Sequence, residues 1–141
     1  MAEHHEPEFT SEELLQQAAG NWNALFFAAV DYLREQGLAP EEFVRWLGER
    51  FAPGWEEMRG DLQQIAYFAA LNPVALGAEL RGYDVREREV TIVTSTDHLD
   101  APRADIDLLG ELYRPIMDNL DVDYEWELGD GVTTLRLRSR Q

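Results

Sequence analysis

Residues 121–140 show the clearest alternation of apolar and polar side chains in the chain, and over 121–128 the alternation is strict. In residues 121–128 the apolar side chains Val, Tyr, Trp and Leu take the even positions and acids take the odd ones. A period of two is typical of a β-strand with one buried and one exposed face. Asp130-Gly131 then offers the positive φ angles of a two-residue turn, and the alternation resumes over 132–140. The pattern predicts a terminal β-hairpin.

Placing the turn at Asp130-Gly131 fixes one register for this hairpin. On the apolar face Trp126 pairs with Leu135 and Tyr124 pairs with Leu137. The polar face then sets acids against arginines as Glu125–Arg136, Asp123–Arg138 and Asp121–Arg140. An exposed ion pair contributes only about 0.2–1 kcal/mol, so these pairs specify register more than stability. We therefore interpret the arginines as structural rather than as an anion site.

The first eighty residues show apolar side chains at helical spacing. Helices are predicted over about 11–36, 40–51, 54–71 and 74–80, and a later helix over 103–120. Gly37, Pro53-Gly54 and Asn72-Pro73 mark the breaks between the early helices. Pro115 predicts a kink, or an end and restart, inside the last helix.

Residues 83–95 return to a period of two, with Tyr83 and Val85 facing Val90 and Ile92 across a turn near 87–88. The order of elements predicts an α+β fold: N-terminal helices packed on a small antiparallel sheet formed by about 83–95, 121–128 and 132–140. At 141 residues the chain is long enough for one core. We expect a disordered acidic tail over 1–10 and a single domain over 11–141.

Charge and composition exclude several chemistries. The net charge is −16, every one of the twelve basic residues is arginine, and there is no cysteine. Thiol nucleophiles, thiolate metal sites and lysine Schiff bases are therefore excluded. An acidic surface argues against a nucleic-acid partner. The chain contains no run of about 18 apolar residues, which is the length that a membrane span requires. The acidic N-terminus has no apolar leader, so we expect a cytoplasmic protein.

Four aromatic side chains are the candidates for a ligand pocket: Trp22 and Phe26 in the first helix, and Tyr124 and Trp126 in the terminal hairpin. They sit at positions that face the predicted core, and no catalytic constellation accompanies them. The sequence thus favours a non-catalytic small-molecule-binding or sensory domain. It identifies neither the ligand nor a cofactor.

The first helix also carries a second apolar surface. Phe27 falls among polar positions, and Gly20 and Ala24 beside it are small enough to let another backbone approach. This arrangement predicts either a helix that is central in its own domain or a subunit interface, and we expect a homodimer. An alternative function is a protein–protein interaction module that docks through this helix.

The loop after the first strand pair offers a different alternative. Asp97, His98 and Asp100 could serve a hydrolase or a metal-dependent enzyme, because imidazole and carboxylate groups do acid–base and metal chemistry. No second histidine and no spaced carboxylate motif accompanies them. His4 and His5 lie in the predicted tail and are interpreted as incidental. No metal site is predicted.

Two stretches carry a family resemblance: Asn23-Ala-Leu-Phe-Phe through Leu47 as paired helices, and Tyr124-Glu-Trp-Glu-Leu-Gly-Asp-Gly as a hairpin after a late helix. Their order resembles 4-vinyl-reductase and heme-NO-binding-like domains, and L-2-amino-thiazoline-4-carboxylic acid hydrolase-like proteins. Members often carry cysteines where this chain has residues 95–98 and 132–135. The resemblance therefore implies no cysteine chemistry here, but a pocket between helices and sheet.

Overall fold

The structure is a computed structural model that describes residues 6–140. The helices are α1 Ser11–Glu35, α2 Pro40–Phe51, α3 Leu62–Ala75 and α4 Arg103–Asn119, with a 3₁₀ segment at Ala52–Met58. The strands are β1 Leu80–Val85, β2 Glu89–Ser95, β3 Val122–Leu128 and β4 Val132–Ser139. The predicted α+β fold is confirmed. The acidic tail predicted over 1–10 lies partly outside the described residues.

The four strands form one antiparallel sheet in the order β1-β2-β4-β3. The predicted hairpin register is confirmed, with Trp126 opposite Leu135 and Tyr124 opposite Leu137. The β1–β2 register is confirmed as well, since Tyr83 faces Ile92. Helix α4 connects β2 to β3, so the last hairpin lies beside β2 with β4 inside and β3 at the edge.

The hairpin differs from the prediction in its turn and in one ion pair. The Gly129 N–H donates to the Val132 carbonyl over 2.9 Å, which closes a turn at the expected place. Gly131 has a φ of 70°, whereas Asp130 is not among the described residues with positive φ. Only one of the two turn residues is therefore left-handed, as in a type II turn. Arg138 reaches Glu89 on β2 at 3.6 Å, rather than the predicted acid on β3.

The predicted helix over 74–80 is wrong, because α3 continues through Pro73 and ends two residues later. Gly77, with a φ of 109°, ends the helix. The Ala78 N–H donates to the Pro73 carbonyl over 2.9 Å, and the Gly77 N–H donates to the Val74 carbonyl over 3.1 Å. This pair of bonds is the Schellman motif, so a left-handed glycine and not the proline terminates α3.

Two further helix boundaries differ from the prediction. The helix expected over 54–71 is split by Gly60, with a φ of 84°, and α3 starts only after Asp61, whose carboxylate accepts the Gln64 N–H over 3.1 Å. An aspartate N-cap starts a helix more strongly than the preceding Pro-Gly pair does. Helix α4 neither ends nor restarts at Pro115. The Pro115 ring lies instead beside Gly48 of α2, in the helix–helix contact.

Two hydrophobic clusters hold these elements together, and α4 contributes to both. The sheet cluster joins α3, α4 and the inner face of the sheet, and includes Ile65, Ala69, Ile92, Ile116 and Leu137. The α1 cluster joins α1, α2 and α4, and consists of the buried residues Phe26, Phe27, Val30, Val44, Ile106, Leu108 and Leu112.

Helix α1 is rotated about its axis relative to the prediction. Phe27 is 9% exposed and packs edge-to-face on Phe26 with ring centroids 5.3 Å apart, which fits the central-helix alternative rather than a subunit interface. Leu25, only two positions away, is 73% exposed. Apolar side chains surround much of this helix, so periodicity alone did not identify the buried face. Gly20 and Ala24 are exposed, and an interface role for them stays a prediction.

Candidate functional site

A cavity of about 480 Å³ lies between the sheet cluster and the α1 cluster. Its walls come from α1, the 3₁₀ segment, α3, the inner face of the sheet, the loop after β2 and α4. The residues that line it include Trp22, Asn23, Trp55, Ala69, Asn72, Leu76, Ile92, Thr94, Ser95, Thr96, His98, Leu109, Leu112, Tyr113, Ile116, Trp126, Thr133 and Leu135. A volume of this size is typical of small-molecule sites.

The cavity wall carries no fixed charge. Of the described residues that line it, none is Asp, Glu, Lys or Arg, although the chain holds 28 acids and 12 arginines. The titratable side chains in the lining are those of Tyr113 and His98. Burial raises the pKa of Tyr113 to about 12, against a smaller opposing effect of its hydrogen bond with Asn72. The phenol is therefore neutral at pH 7.

The sheet side of the cavity supplies hydroxyl groups. The hydroxyls of Thr94 and Thr133 are hydrogen-bonded to each other at 2.8 Å, and the Ser95 hydroxyl accepts the Glu79 N–H over 2.8 Å. A hydroxyl offers one donor and two acceptor sites. One bond each leaves further capacity, so this wall can hydrogen-bond a polar group on an otherwise apolar ligand.

Two of the predicted pocket residues line the cavity and two do not. Trp22 and Trp126 are in its wall. Phe26 lies behind Trp22, stacked on it with ring centroids 5.3 Å apart, and belongs to the α1 cluster. The Tyr124 hydroxyl donates to the Gly110 carbonyl over 2.5 Å, and its ring lies outside the lining. The ligand role of all four residues stays a prediction.

The position of Trp126 depends on a close approach between α4 and β3. A Cβ on Gly110 would lie 2.5 Å from Cγ of the Trp126 indole, so only glycine fits at that position. The indole N–H donates to Asp107 over 3.1 Å, which fixes the ring orientation. Gly110 and Asp107, on one turn of α4, thus position Trp126 in the cavity wall.

The polar wall was not predicted from the sequence. Thr94 has the same strand parity as Val90 and Ile92, and Thr133 the same parity as Leu135 and Leu137. Threonine at an inward-facing strand position is a sequence signal for a polar group inside the core. That signal was available from the sequence. The contributions of Trp55, Asn72 and Tyr113 depend on how α3 and α4 pack, which no local pattern specifies.

The residues of the loop after β2 do not converge on a metal or catalytic site. Asp97 lies 3.3 Å from the Arg81 guanidinium, while His98 lies at the cavity rim against Gly77. Asp100 is not among the residues that line the cavity. Within residues 6–140, no group of three His, Cys, Asp or Glu side chains is arranged to hold a metal ion. The geometry gives the enzyme alternative no support.

The protonation of His98 gives the cavity a pH dependence. Burial lowers the pKa of His98, and the Asp97 carboxylate, itself paired with Arg81, opposes that shift. The stability contributed by the neutral imidazole is thus present above the ordinary pKa of about 6.5, and is lost as pH falls through the lower folded pKa. Affinity for an apolar ligand should fall as pH drops through that lowered folded pKa and below it, because a ligand at the rim disfavours the imidazolium further. Titrating ligand affinity from pH 7.5 to 5 measures this.

The matched variant for that titration is His98→Asn, which keeps a polar side chain but does not titrate. We expect the fall in affinity on acidification in the wild type and a flat profile in the variant. An equal fall in both proteins would assign the pH dependence to other groups.

A second cleft of about 410 Å³ is lined by the β3–β4 hairpin, the start of β2 and the C-terminal part of α4. Four arginines and four acids line it: Arg114, Arg136, Arg138, Arg140, Glu89, Asp118, Asp123 and Glu125. Arg140, for example, lies 2.8 Å from Asp123 and 2.9 Å from Asp118. Because the opposite charges balance, this cleft supports the structural interpretation of the arginines.

Comparison with known proteins finds distant similarity to solved structures but no family. No family model and no curated protein matches the chain. A crystal structure of an oxygen-binding H-NOX domain related to soluble guanylate cyclases, in its oxygen complex, is similar with a TM-score of 0.45 and 12% sequence identity. The match covers 96% of this chain and 74% of that one. This weak resemblance identifies neither a family nor a ligand, and the resemblance to vinyl reductases and thiazoline hydrolases stays a prediction.

Among residues 6–140, no helix combines the length and the apolar character that crossing a membrane requires. The fold and the site together define an α+β protein with a cavity between helices and sheet that no described Asp, Glu, Lys or Arg side chain lines.

Proposed function

We propose that this protein is a non-catalytic small-molecule-binding domain, and that its ligand is a neutral, largely apolar molecule held in the cavity between helices and sheet. The observation that carries the proposal is the complete lack of Asp, Glu, Lys and Arg among the described residues that line a cavity of about 480 Å³. The chain has 28 acidic residues and 12 arginines, and none of those that the structure describes lines this cavity.

The missing charge selects against ionic ligands. Moving an ion from water into an apolar site costs several kcal/mol unless a counter-charge is present. The cavity offers none, since Tyr113 is neutral and His98 has a lowered pKa. The net charge of −16 further disfavours the approach of anions. A neutral ligand meets neither penalty.

The size of the cavity and its hydroxyl groups narrow the ligand class further. An apolar cavity of about 150 Å³ accommodates benzene, and this one is about three times as large. It has room for two or three fused rings or an equivalent branched chain. The hydroxyls of Ser95, Thr94 and Thr133 would orient one polar substituent of such a molecule. We also propose a sensory role, a homodimeric assembly and a cytoplasmic location, which do not depend on the ligand class.

A pair of fluorescent probes tests this ligand class. N-phenyl-1-naphthylamine is neutral, and 1-anilinonaphthalene-8-sulfonate adds a sulfonate to the same ring skeleton. We expect the neutral probe to bind at least tenfold more tightly, a difference of about 1.4 kcal/mol. Three of the four tryptophans line the cavity, so energy transfer from tryptophan to the bound probe reports occupancy. Equal affinity for the two probes, or no binding of either, would refute the proposal.

A cavity-filling variant shows where the probe binds. Ala69 is buried in the cavity wall, so Ala69→Phe should abolish binding of the neutral probe. Ala104→Phe introduces the same side chain at an exposed position of α4 away from the cavity and should bind as the wild type does. Circular dichroism checks that both variants fold. If Ala69→Phe fails to fold, the comparison of the two probes on wild-type protein still decides.

A further inference from the structure

A helical seam on the outside of α1 faces solvent. Its positions follow one another at intervals of four, three, four, three and four residues. They are Leu14, Ala18, Asn21, Leu25, Ala28 and Tyr32, and all six are exposed. Alternating intervals of three and four are the heptad spacing with which one helix packs against another. The buried side chains of α1, such as Phe26 and Val30, lie on the opposite side of the helix.

We propose that this outer seam of α1 packs antiparallel against the same seam of a second copy of the chain, forming a two-fold symmetric dimer. The inference rests on the homodimer of the proposed function, for which it names the surface, and it does not depend on the ligand class. It replaces Phe27, which is buried, as the centre of the expected interface.

The seam is complementary to itself. When two copies run antiparallel about a two-fold axis at Asn23, every seam position meets another seam position. Leu14 then faces Tyr32, Ala18 faces Ala28, and Asn21 faces Leu25 of the second copy. A two-fold interface requires this reciprocity, in which one surface serves both partners. Small residues facing small ones let the helices approach closely, and large residues close both ends.

Asn21 sets the register of this arrangement. Two Asn21 side chains would lie about 6 Å apart along the seam, four residues at 1.5 Å each. Within one chain the Gln17 amide donates to the Asn21 side-chain oxygen over 3.1 Å, so the Asn21 amide group keeps its donors for the second copy. One polar residue in an apolar seam specifies register and the number of strands, at some expense of stability.

Charge favours a second copy at this seam over a basic partner. Each chain carries a net charge of −16, so two copies repel each other except where a face is uncharged. None of the six seam positions is charged. A basic partner would gain more on the acidic faces. Added salt should strengthen the dimer, because it screens the repulsion.

The size of the seam sets the expected strength. Six positions span about 18 residues, or roughly 27 Å of helix. A contact strip of this length and one helix wide buries less than the roughly 800 Å² per partner of a standard interface. Leu15, which is 60% exposed beside the seam, adds apolar area. We therefore expect a dimer that dissociates on dilution.

Sedimentation of the full chain over a dilution series tests the proposal. Leu25→Glu places a charge at the centre of the seam and should raise the dimer dissociation constant at least tenfold. The matched control is Leu38→Glu, since Leu38 is 57% exposed outside α1 and should leave the dimer unchanged. Both variants should keep the wild-type circular dichroism. A wild-type monomer at about 100 μM, or a Leu25→Glu protein that still dimerises, would overturn the proposal.

Thiol cross-linking tests the orientation, because the natural chain has no cysteine. In the antiparallel seam position 18 meets position 28, whereas the two copies of position 18 are about 15 Å apart along the axis. A short bis-maleimide should therefore join Ala18→Cys to Ala28→Cys in a mixture of the two variants, and should join neither variant to itself. Self-joining of either single variant would contradict the antiparallel seam.

Discussion

Replacing Gly48 by alanine lowers the free energy of unfolding by about 3 kcal/mol or more. A Cβ at this position would overlap the Leu112 carbonyl oxygen of α4 and would lie 3.0 Å from Cγ of Pro115. One obstacle is backbone and the other is a rigid ring, so neither can rotate away. Helices α2 and α4 would have to separate, and overpacking of this kind costs about 1–3 kcal/mol, occasionally more. Urea unfolding followed by circular dichroism measures the loss.

Gly20→Ala is the matched control for this prediction. Gly20 also lies inside a helix, but nothing lies within 4 Å of the added Cβ. Alanine there removes the entropic cost of glycine and should raise stability by up to about 1 kcal/mol. The two substitutions are chemically identical, so opposite signs would isolate the helix–helix contact. A loss of stability in both variants would show that backbone effects dominate instead.

The Gly48 contact also illustrates what the sequence could and could not predict. The terminal hairpin was predictable because its register rests on local facts, namely strand parity and a turn near Asp130-Gly131. The contact of Gly48 with Leu112 joins residues 64 positions apart, and no periodicity indicates which small residue meets which helix. Nor could the pattern of apolar residues show that the predicted helix over 74–80 is replaced by the end of α3 and a turn. That outcome depends on the left-handed conformation of Gly77.

The candidate site divides in the same way. Trp22 and Trp126 were predicted from their inward positions, and both line the cavity. The cavity itself arises because α4 packs against the sheet on one side and against α1 and α2 on the other, so that two clusters leave space between them. Periodicity gives the apolar face of each element but not the volume left between faces. The uncharged character of that volume becomes visible only when its lining is known.

Replacing Arg34 by methionine should lower the free energy of unfolding by about 3 kcal/mol, which is the second large effect that we expect. Arg34, in the last turn of α1, is ion-paired with Asp105 in the first turn of α4. The Asp105 side chain is 1% exposed, so removing its partner leaves a buried charge without compensation. Breaking a buried pair in this way costs about 3–5 kcal/mol. The partial exposure of the Arg34 side chain argues for the low end of that range.

The control for this loss is Arg86→Met. Arg86 pairs with Asp84 at 3.1 Å, but both side chains are largely exposed, so we expect a change below about 0.5 kcal/mol.

The double variant Arg34→Met/Asp105→Leu separates the two possible origins of the loss in Arg34→Met. If the buried charge is responsible, replacing both partners with apolar side chains recovers most of the stability. If the double variant is as unstable as Arg34→Met, the arginine acts through packing. Helix α1 carries Trp22 into the cavity wall. The destabilised Arg34→Met variant should therefore also bind the neutral probe more weakly. The double variant, if its stability is recovered, should bind the probe as the wild type does.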